Sequence, residues 1–313
     1  MTATQTAEPS EGLLLPGLDG TNPLGFLAAV GLLRVVSEIG ARDMVRLCWE
    51  SARGTWLPRL TGHGIASVDF PNVVTDQLKN MPRDCWVIDK KLPFDRLKFR
   101  EHLIKKQHAA SGESRVAADL LAALGVDIAS KGGSAFIDTA LRMVRSGDAQ
   151  GQGFLHYAHE IIQQATLEEV RHALFERWVF RPAGSPLRLA PEEAKSYAYR
   201  ADDPKTEKPE SVRGANFLAL VGLPFFPIVP RPSSAATVGF RKTAKRNDPA
   251  FVWPIWNRPL SASLVKSLLT LSWPTTDDGR REATERGISA VYQSDQFRPS
   301  TYYKNFTPAR RIV

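Results

Sequence analysis

The stretch TNPLGFLAAVGLLRVVSEIG, residues 21–40, carries the strongest helix signal in the chain. Asn22 is a good N-cap, Pro23 suits the first helical position, and Gly40 can close the C-terminus in the left-handed conformation. A helix is therefore expected over residues 23–39. Its early part is apolar on every face and holds Gly25, Ala28, Ala29 and Gly31. Such a helix belongs in a core where small residues let neighbouring backbones approach.

The heart of that stretch has an echo. Residues 26–32 read FLAAVGL and residues 217–223 read FLALVGL, identical at six of seven positions. Two buried helices facing one core explain the match. With no longer repeat around it, convergence of small apolar residues accounts for the echo better than duplication does. Outward from the first helix, VRLCWE (45–50) alternates apolar and polar residues, and TWLPRL (55–60) resumes an extended pattern after SARG, so a β-hairpin is expected.

Residues 92–178 favour helix, punctuated at Gly112, Gly125, Gly132-Gly133 and the GQG of 151–153. In TLEEVRHALFERW, Thr166 and Glu169 form a capping box, and Leu167, Val170, Leu174 and Trp178 mark one face. The segment 200–214 mixes charge and proline with little apolar content and reads as a loop or linker. Beyond it come the second buried helix, a basic loop, FVWPIW, the helix SASLVKSLLTL, the strand-like GISAVY and a basic aromatic tail. The expected organisation is a polar tail (1–11), an N-terminal α+β part (12–91), a mainly helical middle (92–199), the linker (200–214) and a C-terminal α+β part (215–313). The fold class is α+β, with both ends of the chain forming one mixed core and the middle a helical lobe.

Length and composition agree with a folded protein. The chain has 313 residues, 43% hydrophobic and 24% charged, which excludes a stapled mini-protein and a wholly disordered chain. The net charge of +8 and a pI near 9.6 suit a partner that is a polyanion. Cys48 and Cys85 are too few for a disulfide framework or a four-thiolate zinc site, so a reducing, cytoplasmic setting is expected. The first eleven residues have neither the basic start nor the apolar run of a secretion signal, and no apolar stretch reaches a bilayer's thickness.

Signals for chemistry are weak. His156, His159 and Glu160 in HYAHE share a helical face, but their spacing fits no zinc motif and no third ligand is evident. Glu193-Ala194-Lys195 supplies the short half of a restriction-type nuclease motif. Its setting behind Pro191 looks like a helix first turn, where acids pair with the dipole. Lys131-Gly132-Gly133-Ser134 lacks the phosphate-loop frame, and no Gly-x-Ser-x-Gly elbow occurs. No cofactor and no catalytic centre is expected.

Cations are the better signal. Arg241, Lys242, Lys245 and Arg246 stand within six residues without an acid, in what reads as a mobile loop. The tail from Phe297 to Val313 has Arg298, Lys304, Arg310 and Arg311, no acid, and interleaved Phe297, Tyr302, Tyr303 and Phe306. Cations bind phosphates while aromatic faces stack bases, so the tail suits single-stranded or distorted nucleic acid; a docked strand is the alternative. Residues 90–106 add seven basic side chains against Asp95 and Glu101, as a phosphate-tracking groove or a solvated helix face.

Five segments, LDGTNPLGFLAAVGLLRVV (18–36), GANFLALVGLPFFP (214–227), WPIWNRPLS (253–261), RGISAVYQS (286–294) and NFTPAR (305–310), carry a family resemblance. Through them the sequence resembles effector proteins encoded beside type I-G (I-U) CRISPR systems, the large-subunit-like and helicase-nuclease-extension-like group. The resemblance implies a non-enzymatic, nucleic-acid-contacting subunit of an RNA-guided antiviral interference complex. Its partners would be guide RNA, target DNA, other effector subunits and a separate helicase-nuclease that cuts. It carries over no catalytic residue, and the chain is shorter than the usual large subunit. The alternatives are a metal-dependent hydrolase or nuclease centred on His156, His159 and Glu160, and a protein-docking scaffold.

Overall fold

The computed structural model describes residues 12–39, 44–81, 89, 91–110, 115–145, 153–182, 185–194, 210–231, 234–243, 246–299 and 302–313. The N-terminal part runs β1 (Leu13–Leu14), α1 (Pro23–Ile39), β2 (Arg46–Ala52), β3 (Thr55–Thr61) and α2 (Phe70–Lys79). The middle adds α3 (Arg96–Ala109), α4 (Val116–Leu124), β4 (Gly125–Ala129), β5 (Phe136–Asp138), α5 (Phe154–Gln164), α6 (Leu167–Phe175) and β6 (Arg181–Pro182). The last part opens with β7 (Glu210–Ser211), α7 (Arg213–Gly222), β8 (Ile228–Arg231), β9 (Ser234–Thr237), β10 (Phe240–Thr243) and β11 (Arg246–Trp256). It continues through β12 (Leu260–Ser261), α8 (Ala262–Leu269), α9 (Asp277–Glu285), β13 (Ile288–Phe297), β14 (Asn305–Phe306) and β15 (Arg310–Arg311). The fold is α+β, as the sequence implies.

Helix α1 starts where Asn22 Oδ1 accepts the Leu24 amide at 2.9 Å, and it is buried from Pro23 to Ser37. Its Gly31 faces α7, where a Cβ would collide with the Leu218 carbonyl; a Cβ on Gly222 would meet Leu27 O at 2.9 Å and Gly31 Cα at 3.1 Å. The two glycines hold the same place in the two seven-residue echoes, so the echo marks a contact between the helices. The opposite side of α1 presents Phe26 to an aromatic cage. Its ring stacks on Trp49 at 5.8 Å and meets Trp253 at 5.9 Å and Trp256 edge-on at 6.1 Å. Two of the three indoles are satisfied, Trp253 donating to Gly20 O at 2.9 Å and Trp256 to Leu47 O at 2.7 Å, while the buried Trp49 indole N–H has no partner among the described residues.

These tryptophans come from two sheets. One orders β1-β3-β2-β12 and contains the expected hairpin; the other orders β10-β11-β13-β14, with β15 also on β13. Because β12 from the last part pairs with β2 from the first, both ends of the chain build a shared core. The middle is mainly helical, as expected, and its capping box forms: Glu169 N–H donates to Thr166 Oγ1 at 3.2 Å, and Thr166 N–H to Glu169 Oε2 at 3.0 Å. Two segments differ from expectation. The basic stretch near residue 241 is strand in β10 and β11, and the linker region ends in β7 and the start of α7; residues 200–209 lie outside those described. No helix is long and apolar enough to cross a membrane among the described residues.

Candidate nucleic-acid interface

Register decides which cations gather on the C-terminal sheet. Arg241 stands opposite Ala250, Ala250 opposite Asp295, and Arg310 opposite Gln293. Paired residues of antiparallel strands project from the same face. Arg241, Val252, Gln293, Asp295 and Arg310 thus share one face, on which Val252 and Gln293 are buried, Arg241 and Asp295 half-buried and Arg310 exposed, while Phe251 and Trp253 turn to Phe26 in the core. Ala250 is small enough for the Arg241 guanidinium to reach over β11 and donate to Gln293 Oε1. Gln293 Nε2 in turn donates to Asp295 Oδ1 at 2.6 Å, and Arg310 Nη1 reaches Asp295 Oδ2 at 3.2 Å.

Arg310 thus pairs with the carboxylate and Arg241 is linked to it only through Gln293, leaving the cluster net positive. Burial, and after it the Arg310 charge, push Arg241 below its ordinary pKa, with Asp295 opposing. An incoming anion would relieve that repulsion. Lys242 and Arg311, next along their strands, are exposed, and Arg311 donates to the backbone oxygens of Ser289 and Val313.

Beside this cluster lies a cavity of about 540 Å³ between the β8–β9 hairpin, the Arg241 and Val252 side of β10 and β11, and the chain following α8. Val252 and Trp273 supply apolar wall, and Arg231 and Arg241 are its cations. None of its described lining residues is acidic.

The other expected contacts are distributed differently. Lys245 lies outside the described residues, and Arg246 opens β11 opposite Thr243. Arg298 follows β13 and is exposed, and Tyr302 is 67% exposed. Tyr303 is half-buried with the Arg188 guanidinium 4.3 Å from its ring centre. Lys304 is buried, its ammonium donating to Gln296 Oε1 at 3.2 Å. The tail is docked through β14 and β15, which pulls Tyr303 and Lys304 inward while leaving Tyr302, Arg310 and Arg311 outside.

On α5, His156 Nε2 lies 3.4 Å from Glu160 Oε1, Glu160 accepts the Ser185 hydroxyl, and His159 pairs with Gln163 at 2.6 Å. No group of three His, Cys, Asp or Glu that could hold a metal occurs among the described residues. The Lys131–Ser134 stretch is the turn between β4 and β5.

A buried polar cluster escaped the sequence reading. Glu193, expected as a first-turn acid pairing with a helix dipole, does lie in a single helical turn, Pro191–Glu193, but is buried there. Its carboxylate accepts from Asn216 Nδ2 at 2.8 Å and the Leu189 amide at 3.0 Å, and burial pushes its pKa up against those donors and the nearby Arg188. Arg188 holds a left-handed backbone, φ +64°, and donates to the Glu193 carbonyl. Asn22 reaches Glu192 at 3.1 Å and Asn305 reaches Ala190 O at 3.1 Å, so the N-terminal ends of α1 and α7 both meet this segment. Pro191 followed by two glutamates imitates a helix start; the partner that explains Glu193 lies 23 residues away.

No protein-family model, no curated protein and no solved structure matches this chain.

Proposed function

We propose that the chain is a non-catalytic, nucleic-acid-contacting subunit of an RNA-guided type I-like CRISPR interference complex, with guide RNA or target DNA lying on the C-terminal sheet. The observation that carries this is the Arg241–Gln293–Asp295–Arg310 network, in which Arg310 pairs with the carboxylate and Arg241 reaches it through Gln293, with Lys242 and Arg311 exposed at the adjacent strand positions. Such an array suits a phosphate backbone, which positions a strand without reading its sequence. In an RNA-guided complex that is sufficient, because base pairing with the guide supplies the sequence reading. Other effector subunits and a separate helicase-nuclease would complete the machine. The family resemblance of the five quoted segments supports the same reading.

The test is fluorescence anisotropy with labelled single-stranded, duplex and guide-like oligonucleotides over a salt series, on the isolated chain and on complex purified from the host. Replacing Arg241, Lys242, Arg310 and Arg311 with Ala should weaken binding equally across sequences. The log–log salt slope should fall by about 0.7 per lost single-strand contact, or about 0.9 per duplex contact. Unchanged affinity and slope in both settings would overturn the reading.

A further inference from the structure

We infer that the cavity beside Arg241 receives one unpaired nucleotide, its base against the apolar wall and its phosphate between Arg231 and Arg241. The inference rests on the nucleic-acid reading of the sheet and adds a subsite to it.

Three observations converge on that occupant. At about 540 Å³ the cavity falls within the range of about 300–1,000 Å³ typical of small-ligand sites, and Val252 and Trp273 give it an apolar lining for a flat ring. Its cations are not matched by acids: no described lining residue is acidic, and neither Arg231 nor Arg241 takes part in an ion pair among the described residues. The ligand should then combine an apolar, planar body with negative charge.

The third observation is continuity. Arg241 belongs both to the cavity wall and to the chain of side chains leading through Gln293 and Asp295 to Arg310. A backbone resting on Arg310 and Arg241 would therefore pass the cavity mouth, where a base turned from the strand can enter. The mouth is apolar and open, with Val229 47% and Leu271 38% exposed. A free nucleotide offers the same chemistry as a strand nucleotide, and the experiment separates them.

The comparison uses the full chain with two labelled oligomers of about ten nucleotides, within the usual site size of a single-strand binder. One is oligothymidylate; the other has the same phosphodiester backbone with abasic sugars. The intact oligomer should bind about tenfold more tightly, as a buried base would confer. Leu271→Trp, at an exposed rim position, should bring the intact oligomer down to the abasic level and leave the abasic affinity unchanged. Thr270→Trp, also exposed, repeats the block from a neighbouring position. Binding of both oligomers without a base preference, or a preference that survives both rim variants, overturns the subsite and leaves the nucleic-acid reading standing.

If neither oligomer binds, that reading fails, and equilibrium dialysis with uridine 5′-monophosphate against uridine decides the cavity's chemistry. Phosphate-dependent binding lost in Leu271→Trp supports a free nucleotide there. No binding of either compound overturns the subsite as well.

Discussion

Helices α1 and α7 share seven residues of pattern and differ in almost everything else. In α1 the asparagine stands outside the helix, and Asn22 caps it and reaches exposed Glu192. In α7 the asparagine stands inside, one place before Phe217, and its side chain donates to buried Glu193. Phe26 fills an aromatic cage built by strands from both ends of the chain, whereas Gly214 of α7 is pressed against the Glu169 backbone of α6. What the helices have in common is the glycine at their mutual contact. The pattern therefore records a packing requirement shared by two partners, and each helix takes its role from what surrounds it.

That comparison can be broken at its strongest point first. Phe26→Ala should cost about 3–5 kcal/mol, because it empties a cage in which Trp253 and Trp256 are fixed by hydrogen bonds to Gly20 and Leu47. Urea unfolding would show it, and a loss below about 1 kcal/mol would mean that the cage collapses around the hole. Gly31→Leu and Gly222→Leu should each cost about 1–3 kcal/mol or more, since the nearest atoms are backbone. They share one contact, so the double variant should lose distinctly less than the sum; strict additivity would show that the glycines serve separate contacts.

The two asparagines sharpen the difference between the helix starts. Asn216→Ala leaves a buried carboxylate short of a donor and should cost about 1–3 kcal/mol. Asn22→Ala removes a cap and should cost about 1 kcal/mol. Equal losses would dissolve the distinction between a cap and a core polar contact.

The smallest effect is a pH slope. The carboxyl of Glu193 is raised above its ordinary 4.5 in the folded protein, so the folded state keeps this proton after the unfolded state has released it. Stability should therefore decline as pH rises from about 4.5 through the raised value, then level off. Glu193→Gln should lack that decline, so its unfolding midpoint should gain on the wild type's as pH rises from 5 to 8. Parallel profiles would place Glu193's ordinary behaviour in the folded state too.

The same contrast explains what could be read in advance. Local signals sufficed where a few adjacent residues settle the structure: Asn22-Pro23 for the start of α1, Thr166 with Glu169 for α6, and the alternation of β2 and β3. They failed where a distant partner decides. Lys304 looks like a tail cation until Gln296 on β13 draws its ammonium inward, and Glu193 looks like a partner for a helix dipole until Asn216 is beside it. The cationic site lay between these cases. Arg241 and Arg310 were legible as cations, but sheet register joins them to Asp295, and the cavity beside them arises from segments with no sequence motif.

The contact between Gly31 and Gly222 also sets an order of events during synthesis. At about 5–20 residues per second, translation of the 191 residues separating them takes roughly 10–40 seconds. For that interval α1 is present without the helix it packs against, and its β2 neighbour waits longer still for β12. A nascent chain halted before residue 213 would carry α1 with its α7-facing side uncovered, a substrate for chaperones rather than an intermediate with a finished core.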